Sequence, residues 1–338
     1  SYTEKNKIKD SSNEYLKEVA LFGLQELGLY TQEYIDRLNE ELDIILAKNF
    51  SDYFLILWDI VSWARSKNIG IGTARGSAGG SLLAYALRIT NIDPVKHKLL
   101  FFRFINPERN DFPDIDMDFE DSRREEVKEY IRETWGQGHV AGISAYQTYG
   151  AKSAIKKVAS TFGVPYLEAE RIAPKFNSFE EYESSDAIKS FRDKYPDILP
   201  VAKRLGGNLS APTAHAAGVV ISSEKLSKIV PIELREETST GNKIKVVAYD
   251  KDETADFGLI KFDVLGLVYV TVIEDCLRAI KQRTGKDVRK QSVDVDNPDP
   301  RVFEEFTAGE IVGIFLAEGG AYAELIKEMN GLHKFYDL

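Results

Sequence analysis

The chain has 338 residues, 43% hydrophobic and 29% charged, with a net charge of −10 and one cysteine. This is a globular composition long enough for two or three domains, and it excludes an internal disulfide framework. No apolar run reaches the ~18 residues of a membrane-spanning helix, and the acidic total argues against a general nucleic-acid coat while permitting a nucleic-acid enzyme with a local basic groove.

In chain order, residues 1 to 11 are polar and expected to fray. The start at Ser1 rather than Met, without a signal-peptide pattern, is expected of an excised or processed piece. Apolar spacing predicts helices over 13–27 (Leu16, Val19, Ala20, Leu24), 35–47 (Leu38, Leu42, Ile45) and 53–66 (Trp58, Trp63). A short strand is predicted over 68–72 and a helix over 81–88. Between them runs Gly72-Thr-Ala-Arg-Gly-Ser-Ala-Gly-Gly-Ser81. Backbone amides in such a turn, with Arg75 beside them, suit a phosphate. The turn is neither a Walker A loop, having no Gly-Lys-Ser/Thr, nor a dinucleotide fingerprint, so an ordinary flexible turn competes with that reading.

The most informative stretch is Pro113-Asp-Ile-Asp-Met-Asp-Phe119. Asp114, Asp116 and Asp118 alternate with apolar residues, which predicts a strand with one carboxylate face. Carboxylates two apart on a strand lie about 7 Å from one another and repel unless cations neutralise them. Hard divalent ions are the natural choice, and a solvated acidic surface is the alternative. An EF-hand loop would need Gly at its sixth position, where Phe119 stands.

Ser122 with Glu125 predicts a capping box for a helix carrying Val127, Tyr130, Ile131 and Trp135, ended by Gly136 and Gly138. Residues 151–162 read as a helix and 165–205 as a helical insert broken by prolines. Strands are expected over 215–222, 244–249 and 259–265, with a polar loop over 235–242, and a long helix over 268–283. Within Gly258-Leu-Ile-Lys-Phe-Asp-Val-Leu-Gly266, Lys261 and Asp263 share a parity and therefore a face. An internal salt bridge or an exposed edge explains them; the functional reading makes Asp263 a remote third carboxylate and Lys261 a phosphate partner. Two metals held by three carboxylates is apparatus shared by polymerases and nucleases.

His215, among small residues, is either a substrate contact or a structural histidine. Lys152, Lys156 and Lys157 group near one helix face, suited to a nucleic-acid backbone or simply solvated.

Together these segments resemble the catalytic core of the bacterial replicative DNA polymerases of family C, the DNA polymerase III alpha-subunit family. The resemblance is carried in order by Tyr53-Phe-Leu-Ile56, Arg75-Gly-Ser-Ala-Gly-Gly-Ser81, Leu83-Ala-Tyr-Ala-Leu87 and Arg103-Phe-Ile-Asn-Pro-Glu-Arg109. It continues through 113–119, His215-Ala-Ala-Gly-Val-Val-Ile221 and Lys261-Phe-Asp-Val-Leu-Gly-Leu267. It implies a mixed α/β (α+β) fold with a polymerase-beta-like nucleotidyltransferase palm over 1–147 and 212–266. A helical thumb would occupy 148–211 and the start of the fingers 267–338.

The resemblance further implies Asp116, Asp118 and Asp263 as catalytic ligands of two Mg²⁺ ions, Mn²⁺ being able to substitute, with Asp114 a neighbour. Arg75, Gly76 and Ser77 would contact the incoming triphosphate, and Lys152, Lys261, Arg103 and Arg109 further phosphates or the primer end. Lys156, Lys157 and His215 remain possible DNA or substrate contacts. The implied partners are primer–template DNA, deoxynucleoside triphosphates, and further polymerase domains or replisome subunits in the cytoplasm, with no membrane. Ser-Ala-Gly-Gly-Ser stands where the family has Ser-Gly-Ala-Gly-Ser, and Phe315-Leu-Ala-Glu318 replaces a Phe-Gln-x-Glu pattern. The histidine-rich PHP domain, most of the fingers, the clamp-binding segment and the OB domain have no counterpart in these residues. A DNA-binding or scaffolding piece that needs those segments is therefore the alternative function, and a two-metal nuclease a third.

Overall fold

The computed structural model describes residues 2–338 except 74, 109–111, 238–240, 289–298, 316, 318–319, 330 and 333–338. Its helices up to the acidic strand are α1 (Tyr2–Lys5), α2 (Ser12–Glu26), α3 (Gln32–Ala47), α4 (Ser51–Ser66) and α5 (Leu82–Ala86). Strand β1 (Asp116–Glu120), α6 (Arg124–Trp135), β2 (Val140–Thr148) and α7 (Ala151–Thr161) follow. The insert comprises α8 (Tyr166–Ile172), α9 (Phe179–Ser184), α10 (Lys189–Lys194) and α11 (Ile198–Leu205). Then come β3 (Leu209–Ile221), β4 (Ile232–Glu236), β5 (Lys243–Val247), α12 (Lys251–Asp256) and β6 (Lys261–Leu267). The chain continues through α13 (Val268–Thr284), α14 (Pro300–Ala308) and α15 (Gly320–Glu328). The class is mixed α/β, as expected.

The periodic helices form where the apolar spacing places them. Ser11 and Glu14 close a capping box at the start of α2, and α3 buries Leu38, Leu42 and Ile45 on one face.

Local signals fail in several places, the first at residues 2–5, expected to fray but forming α1 with Tyr2 and Thr3 buried. Residues 68–72 form no strand; only Ile71 bridges, antiparallel, to Phe119. The capping box expected at Ser122 is absent, because its hydroxyl donates to Glu120 Oε1 and the chain enters α6 through a 3-10 turn. Strand β2 was not expected, since Ala141, Gly142, Ser144 and Ala145 dilute its β propensity. Strand β4 runs into the expected polar loop, its pairing with β5 overriding charged side chains.

The chain divides into two compact units, residues 1–134 with 262–338 and residues 135–261. In the first unit β1 and β6 pair in parallel. In the second, β2 pairs antiparallel with β3 and in parallel with β5, and β5 antiparallel with β4. Among the described residues of the second unit, one core lies between α7 and the insert helices (Ile155, Phe176, Tyr182, Phe191, Ile198) and one on the sheet (Ile143, Val220, Val247).

Candidate active site

Asp116 and Asp263 are register partners across β1 and β6. Side chains at partnered positions project from the same face of a sheet, so two carboxylates distant in sequence meet there. Asp114, just before β1, joins them: one ligand oxygen from each of Asp114, Asp116 and Asp263 lies within 4.8 Å of the others. Asp114 is exposed, Asp116 half-buried and Asp263 buried.

Asp118 is held differently. Its register partner is Leu265, and it is buried against Arg75. Arg75 Nη2 lies 3.2 Å from Asp118 Oδ1 and 3.2 Å from Asp116 Oδ2, while Nε donates to Asp118 Oδ2 at 3.3 Å. Of the three ligands implied by the resemblance, Asp116 and Asp263 thus converge with Asp114, and Asp118 is matched by the guanidinium.

Burial raises the Asp116 carboxyl above the ordinary range, and Asp114, Asp263 and Asp118 push the same way against Arg75. Burial likewise raises Asp118, opposed by its hydrogen bonds and charge pairing with Arg75. Burial opposes the Arg75 charge, yet its bonds to Asp118 and the two carboxylate charges leave its pKa raised.

The glycine turn lies next to this group. A Cβ on Gly72 would come 2.8 Å from Asp118 Cβ, so only glycine lets the backbone approach β1, where the Gly72 amide donates to Asp118 O at 2.8 Å. Gly76 takes φ +70° and opens a 3-10 turn to Gly80 in which Ser77 is half-buried. Beneath the turn, the buried Glu41 carboxylate accepts from the amides of Leu82 at 2.9 Å and Leu83 at 3.0 Å and from Ser81 Oγ at 2.9 Å. Arg37 donates to Glu41 at 2.8 Å and to Gly80 O at 3.0 Å.

The remaining expected residues are placed as follows. Lys261, half-buried, begins β6 two positions before Asp263. Arg103 is exposed, and Arg109 and Leu316 lie outside the described residues. In the second unit Lys152 is half-buried on α7, Lys156 pairs with Glu170 at 2.8 Å, and Lys157 is exposed. His215 Nδ1 accepts from the Gly218 amide at 2.7 Å, where the β2–β3 register jumps from Ser144↔Ala214 to Gly142↔Val219. Its ring therefore closes a bulge.

Sequence reasoning missed Glu41 and the buried Glu120, which pairs with Arg278 and accepts from the Gly70 amide at 3.2 Å. The available signal was a carboxylate on an apolar helix face for Glu41. For Glu120 it was a fourth acidic residue ending the acidic strand.

Chemically, the site offers only oxygen ligands with a local excess of negative charge, a donor set that fits a hard divalent cation. The guanidinium and the amides of the adjoining turn offer donors to an anionic group.

Two family models match the sequence: "Bacterial DNA polymerase III alpha NTPase domain" over residues 7–266 and "Bacterial DNA polymerase III alpha subunit finger domain" over 269–338. Among curated relatives, DNA polymerase III subunit alpha of Bacillus subtilis (strain 168) is 37% identical over 330 residues, covering 95% of this chain and 29% of the relative. The Yersinia pestis protein of the same name is 35% identical over 345 residues, covering 96% and 28%. That of Aquifex aeolicus (strain VF5) is 35% identical over 354 residues, covering 94% and 30%. The chain thus spans less than a third of the length of these relatives.

Proposed function

Since the chain belongs to the bacterial DNA polymerase III alpha family, we propose that it is the nucleotidyl-transfer core of a template-directed DNA polymerase. The observation that carries this reading is the meeting of Asp116 and Asp263 across β1 and β6, next to Arg75 and the glycine turn. The substrates are a primer 3′-hydroxyl on template DNA and a deoxynucleoside triphosphate.

Asp116 and Asp263 hold the reacting centre, with Asp118 as the third ligand of the family pattern and Asp114 beside them. Two Mg²⁺ ions, when bound there, would make the primer hydroxyl a better nucleophile and neutralise the leaving group. The primer hydroxyl gives its proton to water, its oxygen attacks the α-phosphorus, the bond to the β-phosphate's bridging oxygen breaks, and pyrophosphate departs with that electron pair. Arg75 and the amides of Gly76 and Ser77 donate to triphosphate oxygens, and Lys261 and Lys152 contact phosphates or the primer terminus.

In this reading 1–147 with 212–266 are the palm, 148–211 the thumb and 267–338 the start of the fingers. The protein works in the cytoplasm with other polymerase segments or replisome subunits. No described helix is long and apolar enough to cross a membrane. The chain's coverage of under a third of its relatives favours one second reading, a DNA-binding piece active only beside those segments.

Primer extension with Mg²⁺ by this chain and by Asp116→Asn tests the proposal. Extension lost in the variant supports it, and extension persisting in the variant sinks it. Product lacking from both favours the second reading.

A further inference from the structure

We propose that Tyr53 is a positioning residue that sets the spacing of the Asp114, Asp116 and Asp263 carboxylates. Tyr53 lies on α4 and is only 2% exposed. Its hydroxyl accepts a hydrogen bond from the amide of Ile115 at 3.2 Å. Ile115 stands between Asp114 and Asp116, so this bond holds the backbone that carries both. The β1–β6 pairing begins at Asp116, which leaves Tyr53 as the anchor for the residue before it.

The same side chain reaches the third carboxylate. Its ring stacks on Phe262, with centroids 5.2 Å apart and planes at 28°, and Phe262 immediately precedes Asp263. One side chain therefore touches the backbone between two carboxylates and the residue next to the third.

Like charges this close repel, and the repulsion widens their spacing unless the backbone resists. A hydroxyl on a buried ring needs a partner, and here the partner is the Ile115 amide. Burial, with the charges of Asp114, Asp263 and Asp116 adding to it, raises the phenol above its ordinary pKa despite the Ile115 bond. The hydroxyl thus stays neutral. Removing its oxygen takes this hydrogen bond from the Ile115 amide without touching any ligand atom.

The inference rests on reading the carboxylates as a metal centre, and the test separates the two. Mn²⁺ is titrated calorimetrically into the 338-residue chain and its Tyr53→Phe, Phe262→Leu and Asp116→Asn variants, with a thermal melt of each. Groups that orient metal ligands typically change affinity 10–100-fold, so Tyr53→Phe and Phe262→Leu should bind Mn²⁺ about tenfold more weakly while folded. Asp116→Asn should lose the site. A purely structural role moves the melting temperature and leaves the affinity of the folded chain unchanged.

Wild-type affinity in Tyr53→Phe, with binding lost in Asp116→Asn, overturns the role of Tyr53 and leaves the metal centre standing. If Tyr53→Phe does not fold, Phe262→Leu decides by the same criterion. Unchanged binding in Asp116→Asn overturns the metal centre and the positioning role with it.

Discussion

Arg75 reaches two carboxylates at once, its Nη2 lying 3.2 Å from both Asp116 Oδ2 and Asp118 Oδ1. The glycine turn and the acidic strand are thereby one electrostatic unit. In the structure the cation beside Asp118 comes from within the chain.

Replacing Arg75 by Gln leaves Asp118 buried without its cation. Breaking a fully buried pair costs about 3–5 kcal/mol. Arg75 is 30% exposed, so screening should reduce the loss to about 1–2 kcal/mol in urea denaturation. Added Mg²⁺ should stabilise the variant more than the wild type; equal responses would separate Arg75 from the metal centre.

Glu41→Ala should destabilise the chain by about 3 kcal/mol, since it orphans the buried Leu82 and Leu83 amides and takes the carboxylate partner from Arg37. Glu41→Gln keeps acceptor oxygen and should cost less. Denaturant midpoints of the two variants give the order, and a reversed order would contradict the clamp described under the turn.

Arg278→Ala leaves the Glu120 carboxylate, 1% exposed, with the Gly70 amide and the Ser122 hydroxyl as its hydrogen-bond donors among the described residues. Removing one partner of a fully buried pair costs about 3–5 kcal/mol. Arg278 itself is 39% exposed, so water relieves much of the penalty and a loss of about 1–2 kcal/mol is expected in chemical denaturation.

At Gly80, an added Cβ would lie 2.6 Å from the carbonyl oxygen of Leu100, a backbone atom that cannot rotate away. Gly80→Ala should therefore cost about 1–3 kcal/mol, the usual range for overpacking. Gly138→Ala, whose Cβ would meet the flexible Lys225 side chain at an ordinary 3.8 Å, is the control and should melt with the wild type.

Much of the helical frame was legible because burial in a helix repeats along the chain. Leu38, Leu42 and Ile45 mark the buried face of α3 in the sequence as they do in space. Strand β2 was not legible, because its small residues acquire a strand's burial only from β3 and β5 on either side. Ser122 resembled a cap until Glu120, two residues earlier, took its hydroxyl.

For the candidate site, the sequence by itself determined the chemistry on offer. Alternation from Asp114 to Asp118 put carboxylates on one face, Lys261 and Asp263 shared another, and the glycines around Arg75 marked a close backbone approach. Only the tertiary structure decided which carboxylates meet. The register of β1 against β6 sets Asp263 opposite Asp116, Asp114 closes the group, and Arg75 engages Asp118. Alternation along a strand is a local property of the backbone, whereas register between distant strands is chosen by the packing of the whole unit.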